Sequence, residues 1–531
     1  MAQQAQVHNV GSIGITPDLP AYELPPEAWN LGADVVANNG YMAKANGHSA
    51  VFGVPPIAPY VVDYIPVAAA SYWLVAGLTA IHATNGTTYA DITRLVGGAY
   101  SAGAEGKWVG GMLHGIGVWT NGSDVPQAWI APGLGTPLVD LPNWPATLGC
   151  KTIRPFKNFL IAMNITDAGT AYPYNVRWSA SAEPGAVPGS WDIADTTNDA
   201  GENPLSAHGG EVLDGLELQD FFILYRENST HAMSYVGGQY VFNFIDLFGD
   251  LGILAPNCVT EVQGQHIVIT RDDVVAHDTR QYRSILSGRA RKWLRDNLDY
   301  SNAERAFITK QEVHNEVWIC IPVNGGSGYA EMAIVWNWVD NTIVFRSLPS
   351  VSSVGRGVYA PVLAETFDSA SGTFDEATTT FNARSYDPSA NRLIAASPTN
   401  SKIYLLDESQ TFDGVAMTSW VERTGIPIAG VDRMGEMKID PAVHKVVREV
   451  WPRLQASPGT IFEIFVGSQI TSESSITWEG PFTFDPQTQN KIDCMVSGAL
   501  LGIRIRTTTA CDWKLFGYGL TIAAGGRSFA L

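Results

Sequence analysis

The sequence predicts an all-β protein built as a β-propeller of about six or seven blades, with an extended N-terminal arm and a C-terminal β-sandwich platform. Short apolar strands joined by tight polar turns recur at a pitch of roughly 40–50 residues, which is typical of propeller blades. Convincing helical periodicity is nearly absent. From about Pro441 the strands become longer and alternate regularly between apolar and polar residues. Unrelated hairpins in an all-β protein would produce a similar local pattern, and the regular pitch favours the propeller.

The clearest hairpin lies at residues 259–279. An apolar β-branched run at residues 266–270 is followed by the polar turn Arg271-Asp272-Asp273, and the apolar character resumes at Val274. An isolated hairpin is marginal in water, so this one must pack against neighbouring strands. Similar strand–turn–strand units occur at residues 73–93, 115–130, 159–179, 221–236, 316–338 and 392–407.

The pattern of strands and turns divides the chain into three parts: an arm at residues 1–58, the propeller at 59–440 and the sandwich platform at 441–531. Six alternating strands in about 90 residues are typical of a β-sandwich. We expect them at residues 446–454, 460–467, 476–484, 491–496, 500–507 and 513–522.

The arm is punctuated by prolines, which fix φ and remove a donor, and by two Asn-Gly turns. Leu24 and Trp29 are apolar anchors within it. An extended segment with such anchors becomes ordered by packing against another surface. That surface is either the chain's own platform or a partner subunit, and we regard Leu24 and Trp29 as candidate partner-binding residues.

The charge is strongly acidic, with 33 basic and 52 acidic residues and a net charge of −19. Non-specific binding to a phosphate backbone requires clustered lysine and arginine. The composition therefore excludes a generic DNA-binding protein. It remains compatible with a DNA conduit, in which adhesion to the wall would be a disadvantage.

The five cysteines are scattered and form no CxxC pair, which indicates thiols in a protein made in a reducing compartment. The N-terminus lacks the pattern of a signal peptide. Residues 64–83 come nearest to a membrane span, but they contain Pro66 and Gly77. We interpret them as two strands and expect no membrane span.

One segment, residues 284–297, predicts a helix with an apolar stripe. Six of the 33 basic residues lie within sixteen positions around it. Arg289, Arg291 and Arg295 are therefore candidates for contact with phosphate or with a neighbouring subunit. The alternative is a solvated helix flank that offsets local acidic residues.

Motifs for catalysis are not found. No P-loop, nucleophile elbow or HExxH motif is present. Asp272-Asp273 and the pair Asp246 and Asp250 offer adjacent carboxylates, and the acidic excursion at residues 184–204 offers oxygen ligands for Ca²⁺, but solvated turns explain both. We expect a non-enzymatic protein without metal or cofactor. An enzyme assembled from distant loops remains open.

Several short motifs together resemble the tail nozzle (tail tubular) proteins of short-tailed bacteriophages, some of which are called packaged-DNA stabilisation proteins. The motifs span most of the chain. They are LPPEAW at residues 24–29, the hairpin ending at 47–53, YWLVAGLTAIHATNGTTYADIT at 72–93, VRWS at 176–179, and a C-terminal series from VWP at 450–452 through FDP at 484–486 to Trp513. The chain departs from the family pattern at Ala33-Asp34-Val35-Val36, where an arginine is usual.

The resemblance implies a structural subunit of a virion tail, synthesised in the cytoplasm of a bacterial host. It implies a homohexameric tube below the portal and adaptor rings, which also meets tail fibre or spike proteins. Double-stranded DNA would pass through the lumen without sequence-specific binding, and loops would retain the packaged genome until ejection.

Two other classes of function remain open. A propeller lectin or glycan-processing enzyme could act on cell-surface polysaccharide, with some of the 16 tryptophans as platforms for sugar rings. A scaffold module of another extracellular assembly is the third hypothesis, and the missing signal peptide counts against it.

Overall fold

The computed structural model describes residues 3–67, 70–238, 240–359, 391–431 and 437–527. Within these segments the protein is almost entirely β, and seven four-stranded antiparallel sheets follow one another along the chain. The prediction of an all-β propeller is therefore confirmed, with seven blades in the described residues.

Blades 1 to 6 are each a four-stranded meander of consecutive strands, and the strand that begins each meander lines the centre of the ring. Alternating or wholly apolar strands separated by Asn, Asp and Gly turns produce this arrangement, because each sheet buries both of its faces against the neighbouring blades. The strands are Val61–Val67, Ala70–Ala76, Ile81–Thr84 and Tyr89–Asp91 in blade 1; Val109–Leu113, Ile116–Thr120, Gln127–Trp129 and Val139–Asp140 in blade 2; Leu148–Phe156, Phe159–Asp167, Thr170–Trp178 and Gly201–Pro204 in blade 3; Val212–Leu218, Phe221–Arg226, Thr230–Tyr235 and Phe242–Phe248 in blade 4; Val259–Val262, Gln265–Ile269, Val274–His277 and Tyr282–Ser284 in blade 5; and Phe307–Gln311, Glu316–Pro322, Ala330–Asn337 and Ile343–Val351 in blade 6.

Blade 7 is closed by a strand from the arm. Its first three strands are Ser353–Val358, Asn391–Ser397 and Lys402–Ser409, and the fourth is Gly47–Val51, which pairs antiparallel with Lys402–Ser409. The expectation that residues 1–58 form an arm joined to the platform is therefore incomplete, because five of these residues belong to the propeller.

The ring also closes at its centre. Ser353 Oγ accepts the Val62 amide at 3.0 Å, and Ser352 Oγ donates to the Tyr60 carbonyl at 2.6 Å. These bonds join the inner edge of blade 7 to that of blade 1. The first and last blades are therefore held together both by the arm at the rim and by hydrogen bonds at the axis.

The platform consists of two sheets packed face to face. Three strands of the arm extend one sheet and a fourth extends the other. The first sheet contains Gln3–His8, Val35–Asn38, Tyr41–Lys44, Val443–Ala456, Ile492–Gly498 and Trp513–Arg527, the second contains Leu31–Ala33, Ser419–Ile426, Phe462–Gln469, Thr477–Phe484 and Leu500–Thr507, and a separate hairpin pairs Ile428–Val431 with Met437–Ile439.

The six platform strands expected from the sequence are all present within a few residues of their expected bounds, because their alternation reports which side faces the core. Val447 and Val450 of the first sheet and Ile464 and Ile503 of the second are fully buried. The domain boundary differs from the expected one at 441. Ser419–Ile426 already pairs with Leu500–Thr507, so the platform begins soon after the last propeller strand ends at Ser409.

A buried arginine of the platform holds the proline-rich part of the arm. The Arg423 guanidinium donates to the carbonyl of Ala21 and, at 2.8 Å, to that of Leu24. It also donates to the carbonyl of Thr424. Burial lowers the pKa of Arg423, and Glu27 and Tyr518 offset part of this effect. Proline lacks a backbone N–H, so a proline-rich segment cannot form the regular hydrogen bonds of a strand. Here the Arg423 guanidinium donates to carbonyls of the arm, and these bonds hold the segment in place of strand pairing.

A second contact joins the arm to blade 6. It is made by Asp34, one of the four arm residues at which the sequence departs from the pattern of the nozzle proteins. Asp34 adopts a left-handed backbone conformation with φ of 59°. Its carboxylate accepts the Ser347 amide at 2.8 Å and the Ser347 hydroxyl at 3.0 Å. Burial raises the pKa of Asp34, against the lowering effect of these two hydrogen bonds.

The predicted helix at 284–297 is shorter than expected and runs from Arg291 to Asn297. Residue Ser284 ends the last strand of blade 5, and Gly288 adopts a left-handed φ of 69° that interrupts a helix. The carboxylate of Asp18, from the arm, accepts the Lys292 amide at 2.7 Å. This cap fixes the start of the helix, and no local sequence signal reveals it because the partner is some 270 residues away. A 3-10 helix follows at Tyr300–Arg305.

In the segments that the structure describes, we find no helix with the length and apolarity needed to cross a bilayer. The nearest sequence candidate, residues 64–83, forms parts of three strands of blade 1.

Substitution of Arg423 by Met should release the arm from the platform. We expect a loss of about 2–4 kcal/mol in the free energy of unfolding, because buried carbonyls of the arm lose their donor. Urea unfolding and limited proteolysis within residues 19–30 measure this. Arg448→Met, on an exposed position of the same sandwich, is the control and should change the free energy by less than about 0.5 kcal/mol. Equal protease resistance of wild type and Arg423→Met would contradict the assignment.

Candidate functional site

The apolar anchors of the arm lie inside the molecule. Leu24 and Trp29 are 4% and 1% exposed. The Trp29 indole N–H donates to the Val10 carbonyl at 2.8 Å, and its ring lies 5.9 Å from that of Tyr518 in the platform. Of the two surfaces considered for the arm, the chain's own platform is therefore the one contacted. Neither side chain retains a free apolar surface for a partner.

The three candidate arginines have different environments. Arg289 donates to the carbonyl of Asn341 in blade 6. Arg291 forms ion pairs with Asp272 at 3.2 Å and Asp273 at 3.4 Å. Arg295 is exposed, and the described residues offer it no ion pair. The first two therefore have intrachain roles, and Arg295 is the one left for a partner.

Two further arginines near the helix are also exposed. Arg283, in the last strand of blade 5, lies over the Trp336 ring at 6.0 Å, and Arg280 lies in the turn before that strand. In the described residues neither is paired with a carboxylate. Arg280, Arg283 and Arg295 belong to one sixteen-residue segment of the sequence, and we call these three exposed arginines the basic patch.

The carboxylates of both candidate pairs are bonded to other side chains or to the backbone. Asp273 accepts the Val274 amide and the Ser284 hydroxyl, whereas Asp272 faces Arg291. Asp246 bonds the His231 ring, and Asp250 accepts the Tyr282 hydroxyl at 2.8 Å. The acidic excursion at 184–204 is organised by turns, as when Asp192 and Asp195 accept backbone amides two residues further on.

The axis of the propeller holds a cavity of about 410 Å³ lined by the inner strands of all seven blades. Arg154 of blade 3 lines this cavity and bonds to residues of several blades. Its guanidinium makes two bonds of 2.8 Å to Asp214 of blade 4, one of 2.8 Å to the Gly110 carbonyl of blade 2, and one of 2.6 Å to Asn257, before blade 5. Burial opposes the charge of Arg154, but Asp214 outweighs it and raises the pKa of Arg154.

Asp63, Glu105 and Lys107 also line this cavity. Burial raises the pKa of Asp63, although its carboxylate accepts the Trp119 indole N–H at 3.1 Å. Burial lowers the pKa of Lys107, whose ammonium donates to the Pro256 carbonyl at 3.0 Å. The wall is therefore polar and of mixed charge, and most of its bonds join one blade to the next.

A buried tyrosine joins two histidines between blades 4 and 5. The Tyr225 hydroxyl lies 2.7 Å from His266 Nδ1 and 2.6 Å from His277 Nε2. Because His266 Nε2 donates to the Glu217 carbonyl, its Nδ1 accepts from Tyr225. The His277 Nε2–H then donates to the Tyr225 oxygen, and every polar atom of the cluster except a hydroxyl lone pair has a partner.

This network is neutral. Burial lowers the pKa of His266 to about 3 and that of His277 to about 4. Burial also raises the pKa of Tyr225 well above its usual value. The three residues of this network lie on two different blades, so no local spacing in the sequence identifies them.

A second buried network joins blades 6 and 7. Arg346 is paired with Glu316 at 3.0 Å and with Asp407 at 2.7 Å, and His314 Nδ1 lies 2.8 Å from the other oxygen of Asp407. Arg346 and His314 lower the pKa of Asp407 against the effect of burial. His314, Glu316 and Asp407 have the ligand types of a metal site, but Arg346 occupies the position of the cation.

No protein-family model matches the chain, and no curated protein matches it. Among solved structures it is similar to PorZ, a bacterial surface component of the type-IX secretion system of Porphyromonas gingivalis, at 8% identity and a TM-score of 0.35, covering 72% of this chain and 43% of PorZ. It is also similar to the WD40 β-propeller domain of Doa1 (10% identity, TM-score 0.33, 68% of this chain and 97% of that one). YCF48 bound to D1 peptide gives 10% identity and a TM-score of 0.34, over 71% and 97% of the two chains. The chain spans less than half the length of PorZ, and these likenesses concern the fold alone.

The histidine pair should make the protein less stable in acid. An unfolded histidine has a pKa near 6.5, so at lower pH the unfolded chain binds protons that the folded network excludes. The contribution is complete above pH 6.5 and is lost as pH falls toward 4 and then 3. The slope of unfolding free energy against pH should be smaller in His266→Gln/His277→Gln than in wild type. NMR titration midpoints of either ring near 6.5 would contradict the buried neutral network.

Proposed function

We propose that the protein is a structural subunit of a short-tailed phage tail nozzle. In this proposal, six copies form a tube below the portal and adaptor that retains the packaged genome and conducts double-stranded DNA during ejection. The proposal includes contacts with tail fibre or spike proteins and a place in the virion tail. The short motifs distributed over the chain support it.

The observation that carries the proposal is the way the arm joins the propeller to the platform. The arm supplies strands to both platform sheets and to blade 7, and it contacts blade 6 through Asp34. A subunit that must bear pressure from packaged DNA requires its two bodies to resist separation. Contacts of high sequence separation on both sides of the junction provide that resistance.

The charge distribution also supports a conduit. At a net charge of −19, DNA close to most of the surface is repelled, and the duplex can slide without adhering. The basic patch is the exception. On an acidic molecule, three exposed arginines without carboxylate partners are suited to an acidic surface of a neighbouring subunit. A closed ring requires such a contact between two different surfaces of the same chain.

The lectin or glycan-processing alternative has less support from the tryptophans. Sugar rings stack on exposed aromatic faces, and all 16 tryptophans lie in the described segments, where each is buried or half-buried. Six of them are among the largest fully buried side chains, including Trp119 and Trp318. They serve the packing of blades and platform.

Co-expression with a portal and adaptor should yield closed rings of six copies, detectable by native mass spectrometry, and images of particles should show a ring below the adaptor. The expected subunit mass is 57.3 kDa. A strictly monomeric protein that is missing from particles would contradict the proposal. Binding on a glycan array, or hydrolysis of a polysaccharide, would instead favour the alternative.

Substitution of two of the three arginines of the basic patch should impair assembly without affecting folding. In Arg283→Ala/Arg295→Ala we expect fewer closed rings or leakage of DNA from particles, with unfolding free energy within about 0.5 kcal/mol of wild type. Arg289 and Arg291 are left intact because both have intrachain partners. Arg448→Ala is the matched control, since Arg448 is also exposed but lies on the platform. Wild-type rings and DNA retention in the double variant would show that the patch is merely solvated.

A further inference from the structure

A cleft of about 500 Å³ lies where the arm, the propeller and the platform meet. We call it the junction cleft. Its volume is in the range of sites for small ligands. The residues that supply its charged walls come from four parts of the chain: Lys44 of the arm, His314, Glu316, Asp340 and Arg346 of blade 6, Asp407 of blade 7, and Asp512 and Lys514 of the platform.

Lys44 is the most unusual group in this cleft. Its side chain is buried, and its ammonium donates to the carbonyls of Gln410 at 2.9 Å and Thr509 at 3.3 Å. Among the described residues it forms no ion pair with a carboxylate. Burial lowers the pKa of Lys44, and Asp512 and Cys511 offset only part of this effect. A buried cation bonded only to neutral carbonyls retains a donor and a charge that an anion can satisfy.

A lysine and a histidine also border this space. Lys514 is exposed, and its ammonium lies 5.0 Å from the centre of the Tyr41 ring. His314 also lines the cleft and is about half exposed, and its Nδ1 bonds Asp407 while no partner is found for Nε2 among the described residues.

Two of the four carboxylates of the cleft are paired with a buried cation. Arg346 bonds Glu316 and Asp407, and it is itself buried with no partner at its Nε. Asp512 accepts the Gln410 side-chain amide at 2.6 Å. Asp340 is exposed at the rim. Among the described residues, Lys44 in the interior and Lys514 at the surface are the cations of the cleft without an ion pair, and Asp340 and Asp512 are its carboxylates without one.

We propose that the junction cleft is a binding site for a small oxyanion, held by Lys44 and Lys514 with His314 as a third donor. A phosphate or carboxylate group supplies the acceptors that these donors lack, and charge-assisted hydrogen bonds of this kind are the strong ones. Because the ligand touches arm, propeller and platform together, its binding stabilises their junction by mass action. The inference is independent of the proposed nozzle function.

A divalent cation is the competing occupant, since His314, Glu316 and Asp407 lie within reach of one another. A cation there would have to displace Arg346 from both carboxylates or share them with it. Taking a guanidinium away from two buried carboxylates is costly, which disfavours the metal.

Titration calorimetry of the full chain with sodium sulfate, inorganic phosphate and sodium malonate, at ionic strength kept constant with sodium chloride, tests the site. We expect saturable binding of one anion per chain, and the three probes separate a tetrahedral oxyanion from a carboxylate. Lys44→Met should weaken the affinity about tenfold or more, as expected for loss of a charge-assisted hydrogen bond. The absence of saturable binding by all three probes would overturn the proposal.

The matched control is Lys445→Met. Lys445 is also a fully buried lysine that donates to a backbone carbonyl, that of Ala499, but it lies outside the cleft. Its substitution should leave the anion affinity unchanged. Lys514→Met provides a second variant at an exposed position if Lys44→Met fails to fold. Affinities of Lys44→Met and Lys514→Met equal to that of wild type would refute the assignment, as would binding of Mn²⁺ or Zn²⁺ with no response to anions.

The pH dependence tests the third donor. In the neutral His314 ring, Nδ1–H is directed to Asp407, so Nε2 becomes a donor only on protonation. The hydrogen bond to Asp407 raises the pKa of His314 against the effect of burial. Sulfate affinity should therefore rise as pH falls through this raised pKa, and His314→Gln should lose that dependence. The charged groups facing this position from the packed elements are Lys44, Glu316, Asp340, Arg346, Asp407, Asp512 and Lys514. An unchanged pH profile in His314→Gln would remove His314 from the site.

Discussion

The pairing of Gly47–Val51 with Lys402–Ser409 is the interaction on which the architecture depends. A propeller is a ring, and a ring of sheets exposes two open edges until its last blade meets its first. Here the strand that completes the last blade comes from the beginning of the chain. Because the preceding residues of the arm enter both platform sheets, the same segment closes the ring and joins it to the platform.

Buried polar groups reinforce this closure at the blade interfaces. Arg154 links blades 2, 3, 4 and the approach to blade 5, whereas Arg346 links blades 6 and 7. Tyr225 connects blades 4 and 5 through two neutral histidines. Each network satisfies groups that would be costly to bury alone, so it favours the correct order of blades over other packings of similar apolar sheets.

The sequence pattern predicts much of this architecture. The number of hairpin units, the six long platform strands and the strand character of residues 64–83 all follow from the alternation of apolar residues and from turn residues at short intervals. The start of the helix at Arg291 does not follow, because Asp18 from the arm caps it. The platform boundary is also displaced, because the strand Ser419–Ile426 has the same local pattern whether it pairs within a blade or with Leu500–Thr507.

The candidate site residues also divide into those that the sequence predicts and those that only the structure brings together. The sequence by itself determined that the molecule is acidic, rich in short strands and provided with one basic segment, because composition and period are local properties. Only the tertiary structure decided that Trp29 faces inward, that Arg295 is left free while Arg291 is paired, and that Lys44, His314 and Lys514 border one cleft. These three cleft residues are separated by some 200 or more positions along the chain, and no spacing rule relates them. Their proximity arises from closure of the ring against the platform.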